Sequence, residues 1–237
     1  IQNKYGVDAV PHILCGGFSK EDTENFLIDI DFLGIHNVVA LRGDAVKTET
    51  YFKPEKNGHA FAKDLVEQIV KMNHGTYLDE SLENSACTDF NIGVAGYPEK
   101  HMEAASLEQD IYHLKKKVEA GADYIVTQMF FDNQKYYDFV EKCRTSGINV
   151  PIIPGLKPIT TKSQLSMIPH RFKVDLPNEL VIAIAKAKDN KEVKEIGINW
   201  CIQQSKDLMK NGAPVLHYYS MGKSEVVKRI ASEVFKD

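Results

Sequence analysis

The sequence predicts an α/β fold in which strands and helices alternate, and among such folds it favours a (β/α)8 barrel. Short, nearly continuous apolar runs alternate with longer amphipathic stretches, as expected of parallel strands covered by helices on both faces. The chain has 237 residues, 43% of them hydrophobic, which suits one barrel domain over residues 1–237. An open doubly wound sheet usually carries G-x-G-x-x-G after a strand, and this string is absent.

Six runs are predicted as strands because each is short, apolar and bounded by turn-forming or polar residues. In chain order they are AVPHILC (9–15), NVVALR (37–42), FNIGVAGY (90–97), YIVTQMFF (124–131), VPIIPG (150–155) and PVLHYYS (214–220). About six of the eight βα units of a barrel are therefore visible. An incomplete barrel would expose unpaired strand edges, so the chain is expected to be part of a longer protein.

Amphipathic stretches with apolar spacing of three and four residues are predicted as the intervening helices. They include SKEDTENFLIDIDFLG (19–34), HAFAKDLVEQIVKMN (59–73), SLEQDIYHLKKKVEAGA (106–122) and NQKYYDFVEKCRTSG (133–147). The longest polar insert, AVKTETYFKPEKNG (45–58), follows the second strand. No internal repeat or flexible linker divides the chain.

Composition argues against several classes of function. A net charge of -4 and a pI near 6.1 give no electrostatic footprint for nucleic acid. No apolar stretch reaches the roughly 18 residues that span a bilayer, and the first residues do not resemble a signal peptide, so a cytoplasmic protein without membrane contact is expected. Four widely separated cysteines predict reduced thiols in or near the core rather than disulfides or a zinc site.

Polar residues recur at the ends of the predicted strands, where a barrel places its active site. Taken singly, the histidine is more typical of a core residue and the tyrosines of packing. Together they predict a site, because burying so many polar groups without partners is costly. These strand-end residues are His12, Arg42, Gly43, Asp44, Tyr97, Gln128, Pro154, Gly155, Tyr218 and Tyr219.

The stretch 106–122 carries a second pattern. Its core stripe consists of Leu107, Ile111, Leu114 and Val118, which leaves Asp110, His113 and Lys117 on a neighbouring face. Two interpretations stay open: a solvated face with an ordinary ion pair, or a carboxylate for sugar hydroxyls beside an ammonium for phosphate. No spacing of a metal site or of a nucleophilic triad occurs, and no metal is expected.

Five linked motifs resemble those of the flavin-dependent methylenetetrahydrofolate reductases: LRGD (41–44), AGYPEKH (95–101), D-x-x-H-L-K-K-K (110–117), TQMFFD (127–132) and IIPGLKPI (152–159). The resemblance implies a (β/α)8 barrel that holds FAD at the carboxyl ends of its strands. It also implies a homo-oligomer of the short bacterial type, without a regulatory domain, acting in one-carbon metabolism and methionine synthesis. In the implied ping-pong reaction, NADH or NADPH reduces FAD, leaves, and is replaced by 5,10-methylenetetrahydrofolate, which becomes 5-methyltetrahydrofolate.

The resemblance also assigns residues. Asp44 would tune the flavin and contact the folate, and Gln128 would contact the nicotinamide and the pterin in turn; both are the catalytic candidates. Gln164 and Lys223 fall at folate-contacting positions, and Ile168 lies where an aromatic residue is common in the family. The positions expected around FAD are His12, Arg42, Gly43, Asp44, Ala62, Tyr97, His101, Ala104, Asp110, His113, Lys116 and Lys117.

The resemblance implies that the first two strands of the family's barrel lie upstream of residue 1. One of these strands carries the general acid, a glutamate, which is therefore expected outside this chain. Glu99 and Glu103 follow the third strand and are interpreted as solvent-exposed acids. Two further hypotheses stay open: a non-catalytic flavin-binding subunit on the same scaffold and, if the resemblance is set aside, a phosphate-binding lyase or aldolase barrel.

Overall fold

The computed structural model describes residues 1–45, 49, 51–222 and 224–236, which form six strands and nine helices. The strands are β1 (His12–Leu14), β2 (Asn37–Leu41), β3 (Asn91–Gly96), β4 (Tyr124–Met129), β5 (Ile152–Leu156) and β6 (His217–Tyr218). The helices are α1 (Gln2–Tyr5), α2 (Lys20–Phe32), α3 (Ala62–Asn73), α4 (Leu107–Glu119), α5 (Asn133–Thr145), α6 (Gln164–Phe172), α7 (Asn178–Lys186), α8 (Asn190–Lys210) and α9 (Ser224–Val234).

Five strands lie inside their predicted runs, and β5 extends one residue beyond its run to Leu156, so the α/β class is confirmed. Hydrogen bonds order the strands as they occur in the chain, β1-β2-β3-β4-β5-β6. The pairs β1–β2, β2–β3 and β5–β6 are parallel. This order is what successive βα units produce when each crossover returns the chain beside the previous strand.

Two compact units divide the chain. Unit 1 comprises Ile1–Ala95 and His113–Ile125, and unit 2 comprises Gly96–Tyr112 and Val126–Asp237. Both α4 and β4 contribute residues to each unit. In unit 1, side chains without solvent exposure come from α2 (Leu27), β2 (Val38) and α3 (Leu65 and Ile69), so helices and sheet share one apolar core.

The apolar core of unit 2 collects residues that follow β4 and β5 together with helices α6 to α8. Ile168 and Ile184 are fully buried there, and Phe131, Ile159 and Leu180 are each 1% exposed. Partly buried side chains pack against this cluster, among them Trp200 and Tyr219. The segment between β5 and β6 therefore folds as three helices around its own apolar residues.

Local capping interactions explain where several helices begin. Ser19 and Asp22 form a capping box at the start of α2, each side chain accepting the other residue's backbone N–H. The Asp132 and Asp189 carboxylates accept backbone N–H groups from the first turns of α5 and α8. None of the described helices is both long and apolar enough to cross a bilayer.

Three cysteines, Cys15, Cys143 and Cys201, are buried free thiols as expected. Cys87 is also a free thiol but is exposed, so the expectation of a core position was wrong for this residue. It lies in the segment between α3 and β3, where no apolar periodicity directs side chains inward.

Candidate functional site

The turn that follows β2 explains why the run NVVALRGD ends as it does. The carbonyl oxygens of Leu41 and Arg42 accept N–H groups from Cys15 (3.0 Å) and Gly16 (3.1 Å), so the β1 and β2 ends stay paired. Gly43 then takes φ +87°, a left-handed backbone conformation that favours glycine. The chain turns there and leaves the Asp44 side chain exposed.

Arg42 lies in unit 1 with its guanidinium 5.1 Å from the ring centre of Phe52, in stacking range. Such a stack holds the planar guanidinium on one side and leaves its N–H donors directed sideways. Ala62 is the first residue of α3, where the backbone N–H groups are not consumed by the helix itself. A guanidinium cation and a helix N-terminus both have the chemistry that suits an anionic or carbonyl ligand.

His12 does not end its strand. It is the first residue of β1, in register with Val39, and its side chain is exposed. The expectation of a strand-end position was wrong because residues 9–11 of the apolar run lie before the strand. The carboxyl end of β1 is instead formed by Leu14, and the assignment of His12 to a cofactor stays a prediction. Similarly, Pro154 lies inside β5, which ends at Leu156, whereas Gly155 is the penultimate residue of that strand.

The loop between β3 and α4, residues 97–106, is a compact structure in unit 2. The Tyr97 and His101 rings meet edge to face with centroids 4.7 Å apart. The His101 N–H donates to Asp110 Oδ2 at 2.8 Å, and the Ala104 N–H donates to the His101 carbonyl at 3.0 Å. Lys100 Nζ donates to the Ala104 carbonyl at 2.6 Å. The structure therefore brings together four of the predicted cofactor contacts: Tyr97, His101, Ala104 and Asp110.

Helix α4 carries the remaining predicted cofactor contacts. Ile111 and Leu114 of the predicted core stripe are buried, whereas His113 on the neighbouring face is exposed. Lys117 Nζ donates to the Ala95 carbonyl at the end of β3 (2.6 Å), which brings its ammonium to that strand end. Lys116 Nζ pairs with Glu119 at 2.7 Å in an exposed ion pair, a type that contributes little to stability.

Two predicted glutamines present oriented amide groups in unit 2. Gln128 lies one residue before the end of β4, and its Oε1 accepts the Met129 N–H at 3.0 Å. Gln164 opens α6, and its Oε1 accepts the N–H groups of Thr160 (2.7 Å) and Thr161 (3.0 Å). Because backbone N–H groups occupy each oxygen, the Nε2 groups are the ends that can donate to a ligand.

Two further positions, Ile168 and Lys223, are connected with folate contact by the resemblance. Ile168 is fully buried within the apolar core of unit 2, so its side chain is a packing residue. Lys223 lies outside the described residues. Tyr218 and Tyr219, two of the predicted strand-end residues, bond within the protein: Tyr219 donates to the Thr127 carbonyl (2.8 Å), and the Tyr218 hydroxyl lies 2.8 Å from the Ser205 hydroxyl. Burial raises the pKa of both tyrosines to about 12.

Glu99 is the residue that the sequence interpretation missed. Its side chain is half-buried, Oε2 accepts the Asp175 N–H at 3.0 Å, and Oε1 is buried with no hydrogen-bond partner in the described structure. Loss of hydration on burial, the dominant cause, raises the Glu99 pKa from 4.5 to about 7. The interpretation of Glu99 as solvent-exposed was therefore wrong, whereas Glu103 is exposed as expected. No sequence pattern marks the difference, because Asp175 lies 76 residues away.

Unit 2 also contains a pocket of about 490 Å³ at the start of α5 and α7 and the middle of α8. Trp200 and Phe131 line it, and the Trp200 Nε1–H donates to the Phe131 carbonyl at 3.0 Å. Asn133 Nδ2, also in the lining, donates to Asp207 Oδ2 at 2.7 Å. These polar groups bond to one another, and none of the predicted site residues is among the lining. Within the described ranges, no three His, Cys, Asp or Glu side chains are grouped so as to hold a metal ion.

Comparison with known proteins points to one family. The family model described as methylenetetrahydrofolate reductase matches residues 1–234. Methylenetetrahydrofolate reductase (NADH) 1 of Arabidopsis thaliana is 36% identical over 231 residues, which cover 93% of this chain and 37% of the plant protein. The 5,10-methylenetetrahydrofolate reductase of Pectobacterium carotovorum is 31% identical over 229 residues, which cover 95% of this chain and 69% of the bacterial protein.

A solved structure of an uncharacterized protein from Clostridium thermocellum, described as binding two copies of 5-methyl-5,6,7,8-tetrahydrofolic acid, has a TM-score of 0.47 and 15% identity. It covers 95% of this chain and 93% of its own, and a likeness of this degree carries no functional argument. The family match over nearly the whole chain and the bacterial relative decide the assignment. This chain belongs to the methylenetetrahydrofolate reductase family.

Proposed function

We propose that this chain is the (β/α)8 barrel portion of a methylenetetrahydrofolate reductase that binds FAD. With electrons from NADH or NADPH it would reduce 5,10-methylenetetrahydrofolate to 5-methyltetrahydrofolate, in a homo-oligomer. Relatives carry both donor names, NADH in Arabidopsis thaliana and NADPH in Caenorhabditis elegans, so either donor is proposed. Because the chain spans only 37% of the plant relative, the activity of the whole protein is part of the proposal.

The observation that carries the proposal is the family match over residues 1–234, in which the motif residues occupy strand ends. Arg42 to Asp44 follow β2 directly, Tyr97 follows β3 directly, and Gln128 is the penultimate residue of β4. Active sites of (β/α)8 barrels lie at this end of the strands. Parallel strands that pair in chain order support the barrel itself.

The residues present fit a flavin dinucleotide in their chemistry. Gly43 has no side chain and adopts a positive φ, so backbone can approach a flat ring closely. The α4 ammonium of Lys117 suits a pyrophosphate, and Asp110 suits ribose hydroxyls. Bound FAD would supply the hydride-carrying chemistry that links nicotinamide to folate. In the proposed site it would be held by Arg42, Gly43, Ala62, Tyr97, His101 and Lys117, with His12, Asp44, Ala104, Asp110, His113 and Lys116 around it.

The protein groups would orient and stabilise the reactants. We propose that the Gln128 Nε2 group donates first to the nicotinamide carboxamide and then to the pterin, since its oxygen is already engaged. With FAD bound, the exposed Asp44 carboxylate would add negative charge near the cofactor and so disfavour a reduced, anionic flavin. The site would thereby favour passing hydride on to the folate.

A direct test separates flavin binding from the two half-reactions. The full-length protein is purified, its bound chromophore is identified by absorbance and mass spectrometry, and reduction by NADH and by NADPH is followed anaerobically. Reoxidation by 5,10-methylenetetrahydrofolate is then measured by stopped flow. We expect FAD, reduction by at least one donor, and reoxidation that yields 5-methyltetrahydrofolate. A protein that binds no flavin, or whose reduced flavin does not react with folate, contradicts the proposal.

Replacing Asp44 by asparagine should affect the two half-reactions unequally. Removing a charge near the ring is worth about 1 kcal/mol, roughly 20 mV for a two-electron couple. The flavin potential should rise, and folate reduction should slow more than reduction by NAD(P)H. Potentiometry and stopped flow measure both effects, with Asp29→Asn, an exposed carboxylate on α2, as the charge-matched control. Equal losses in both half-reactions, or an unchanged potential, argue against Asp44 as the tuning residue.

Two substitutions of Gln164 should distinguish a role in folate binding from a role in stabilising the fold. In Gln164→Glu the carboxylate still accepts the Thr160 and Thr161 N–H groups, but the Nε2 donors are lost. We expect weaker folate binding with little change in stability. In Gln164→Leu, folate binding should weaken and the free energy of unfolding should also fall, by about 1 kcal/mol. Titration calorimetry and denaturant unfolding measure the two effects, and unchanged folate affinity in Gln164→Glu removes Gln164 from the substrate contacts.

A further inference from the structure

Glu99 connects two segments of unit 2 that are far apart in the sequence. It follows Tyr97 and Pro98 in the β3–α4 loop and reaches across to the segment 173–177, which joins α6 to α7. Its Oε2 accepts the backbone N–H of Asp175 at 3.0 Å. The neighbouring Val174 is only 4% exposed and belongs to the apolar core of unit 2. Glu99 therefore ties the loop to a segment that is itself anchored in the core.

The loop that Glu99 ties down is the one that carries Tyr97 and His101. Within the loop the Lys100 N–H donates to the Tyr97 carbonyl at 3.1 Å, and Lys100 itself adopts φ +85°. A non-glycine residue at positive φ is strained and persists only where the surroundings hold it. The bond from Glu99 to Asp175 is one such long-range restraint.

The charge state of Glu99 decides whether this restraint can persist. Oε1 is buried without a partner, and an ionised carboxylate there would lack the hydrogen bonds that its charge demands. Burial has the largest effect and opposes the ionised form, the bond from the Asp175 N–H favours that form, the exposed Asp175 side chain repels the anion, and Lys135 on α5 attracts it. Lys135 also pairs with Asp175 at 3.5 Å, which divides its attraction between the two carboxylates.

We propose that Glu99 is a positioning residue that latches the β3–α4 loop onto the segment 173–177 while its carboxyl group is protonated and releases it when ionised. The ionised group would be relieved most cheaply by swinging out to water, which breaks the bond to the Asp175 N–H. The inference rests on the proposed function in one respect, since Tyr97 and His101 are proposed FAD contacts. Flavin affinity would then depend on whether Glu99 is protonated, although Glu99 is not among the proposed FAD contacts.

The raised pKa of Glu99 determines the direction of the pH effect. The Glu99 pKa is raised from 4.5 to about 7, so the folded protein holds this proton more tightly than the unfolded chain does. The stabilising contribution is complete below pH 4.5 and is lost as the pH rises through about 7. The latch should therefore be closed in mild acid and open in mild alkali.

The test follows the latch and the flavin separately in the full-length protein. The ¹H–¹⁵N chemical shift of the Asp175 amide and hydrogen exchange of the loop amides report the latch, and FAD dissociation constants report its consequence. From about pH 6 to about pH 8, we expect the Asp175 shift to titrate, loop exchange to quicken, and the FAD dissociation constant to rise roughly tenfold. In Glu99→Gln the neutral amide oxygen still accepts the Asp175 N–H, so all three should stay flat.

Two surface variants should shift the pH midpoint of this titration, which a purely structural role of Glu99 would leave unchanged. Asp175→Asn keeps the backbone N–H but removes the repelling charge, so the midpoint should shift to lower pH. Lys135→Met removes the favourable charge, so the midpoint should shift to higher pH. These opposite shifts also carry the test if Glu99→Gln fails to fold.

Three results would each contradict a different part of the proposal. An Asp175 amide that does not titrate, or that titrates equally in Glu99→Gln, overturns the latch. FAD affinity independent of pH while the Asp175 amide titrates overturns the positioning role. If no FAD binds at any pH, the proposed function fails, and the Asp175 shift together with loop exchange still decides whether Glu99 closes the loop.

Discussion

Replacing Lys117 and Asp110 together by alanine is expected to strip FAD from the protein without unfolding it. Each charge-assisted hydrogen bond contributes about 1.5 to 3 kcal/mol, a loss of roughly 10- to 100-fold in affinity per residue. Both side chains lie off the buried stripe formed by Ile111 and Leu114, so the packing of α4 should survive. Flavin content after dilution and gel filtration, with circular dichroism as the folding check, measures the effect.

The structure predicts that the two single variants differ. Asp110 also accepts the His101 N–H at 2.8 Å, so Asp110→Ala loosens the β3–α4 loop, whereas Asp110→Asn keeps an acceptor there and should lose less flavin. Lys117→Ala removes the bond to the Ala95 carbonyl, while Lys117→Arg can preserve a cation. Lys115→Ala is the matched control, since it changes the same charge on the same helix. Unchanged flavin occupancy in the double variant would remove α4 from the cofactor site.

Gly197→Ala is expected to destabilise unit 2 by about 3 kcal/mol, the cost of overpacking a tight contact. Gly197 lies in the middle of α8, where helix propensity alone predicts that alanine would stabilise by about 1 kcal/mol. A β-carbon there would overlap the carbonyl oxygen of Ile159, which is backbone and cannot rotate away. The sign of the change therefore distinguishes the packed contact from local propensity.

Denaturant unfolding of Gly197→Ala measures this sign. Gln203→Ala, at an exposed position of the same helix, is the control and should change stability by no more than about 0.5 kcal/mol. A stabilised Gly197→Ala protein would mean that α8 and the Ile159 backbone are not in contact in solution. Because Ile159 belongs to the apolar core of unit 2, a destabilised variant should also loosen the segment around Ile168.

Local sequence determined most of the elements that carry the candidate site. The six apolar runs locate all six strands, with only Leu156 of β5 outside its run, and the predicted helices in 19–34, 59–73, 106–122 and 133–147 contain α2 to α5. Hydrophobic periodicity and helix capping act over a few residues, so they can be read without knowing the fold. The same holds for the Arg42-Gly43-Asp44 turn, where glycine marks a positive φ before any coordinates are known.

Only the tertiary structure decided how particular side chains are used. The burial of Glu99 and the bond to Asp175 depend on a contact between residues 76 positions apart. The orientation of the Gln164 amide depends on backbone N–H groups that become available only when residues 160 and 161 turn. His12 begins its strand rather than ending it, because pairing with β2 sets where β1 starts. Sequence patterns record which residues prefer to be buried or capped, whereas burial of one carboxyl oxygen depends on atoms that long-range folding brings to it.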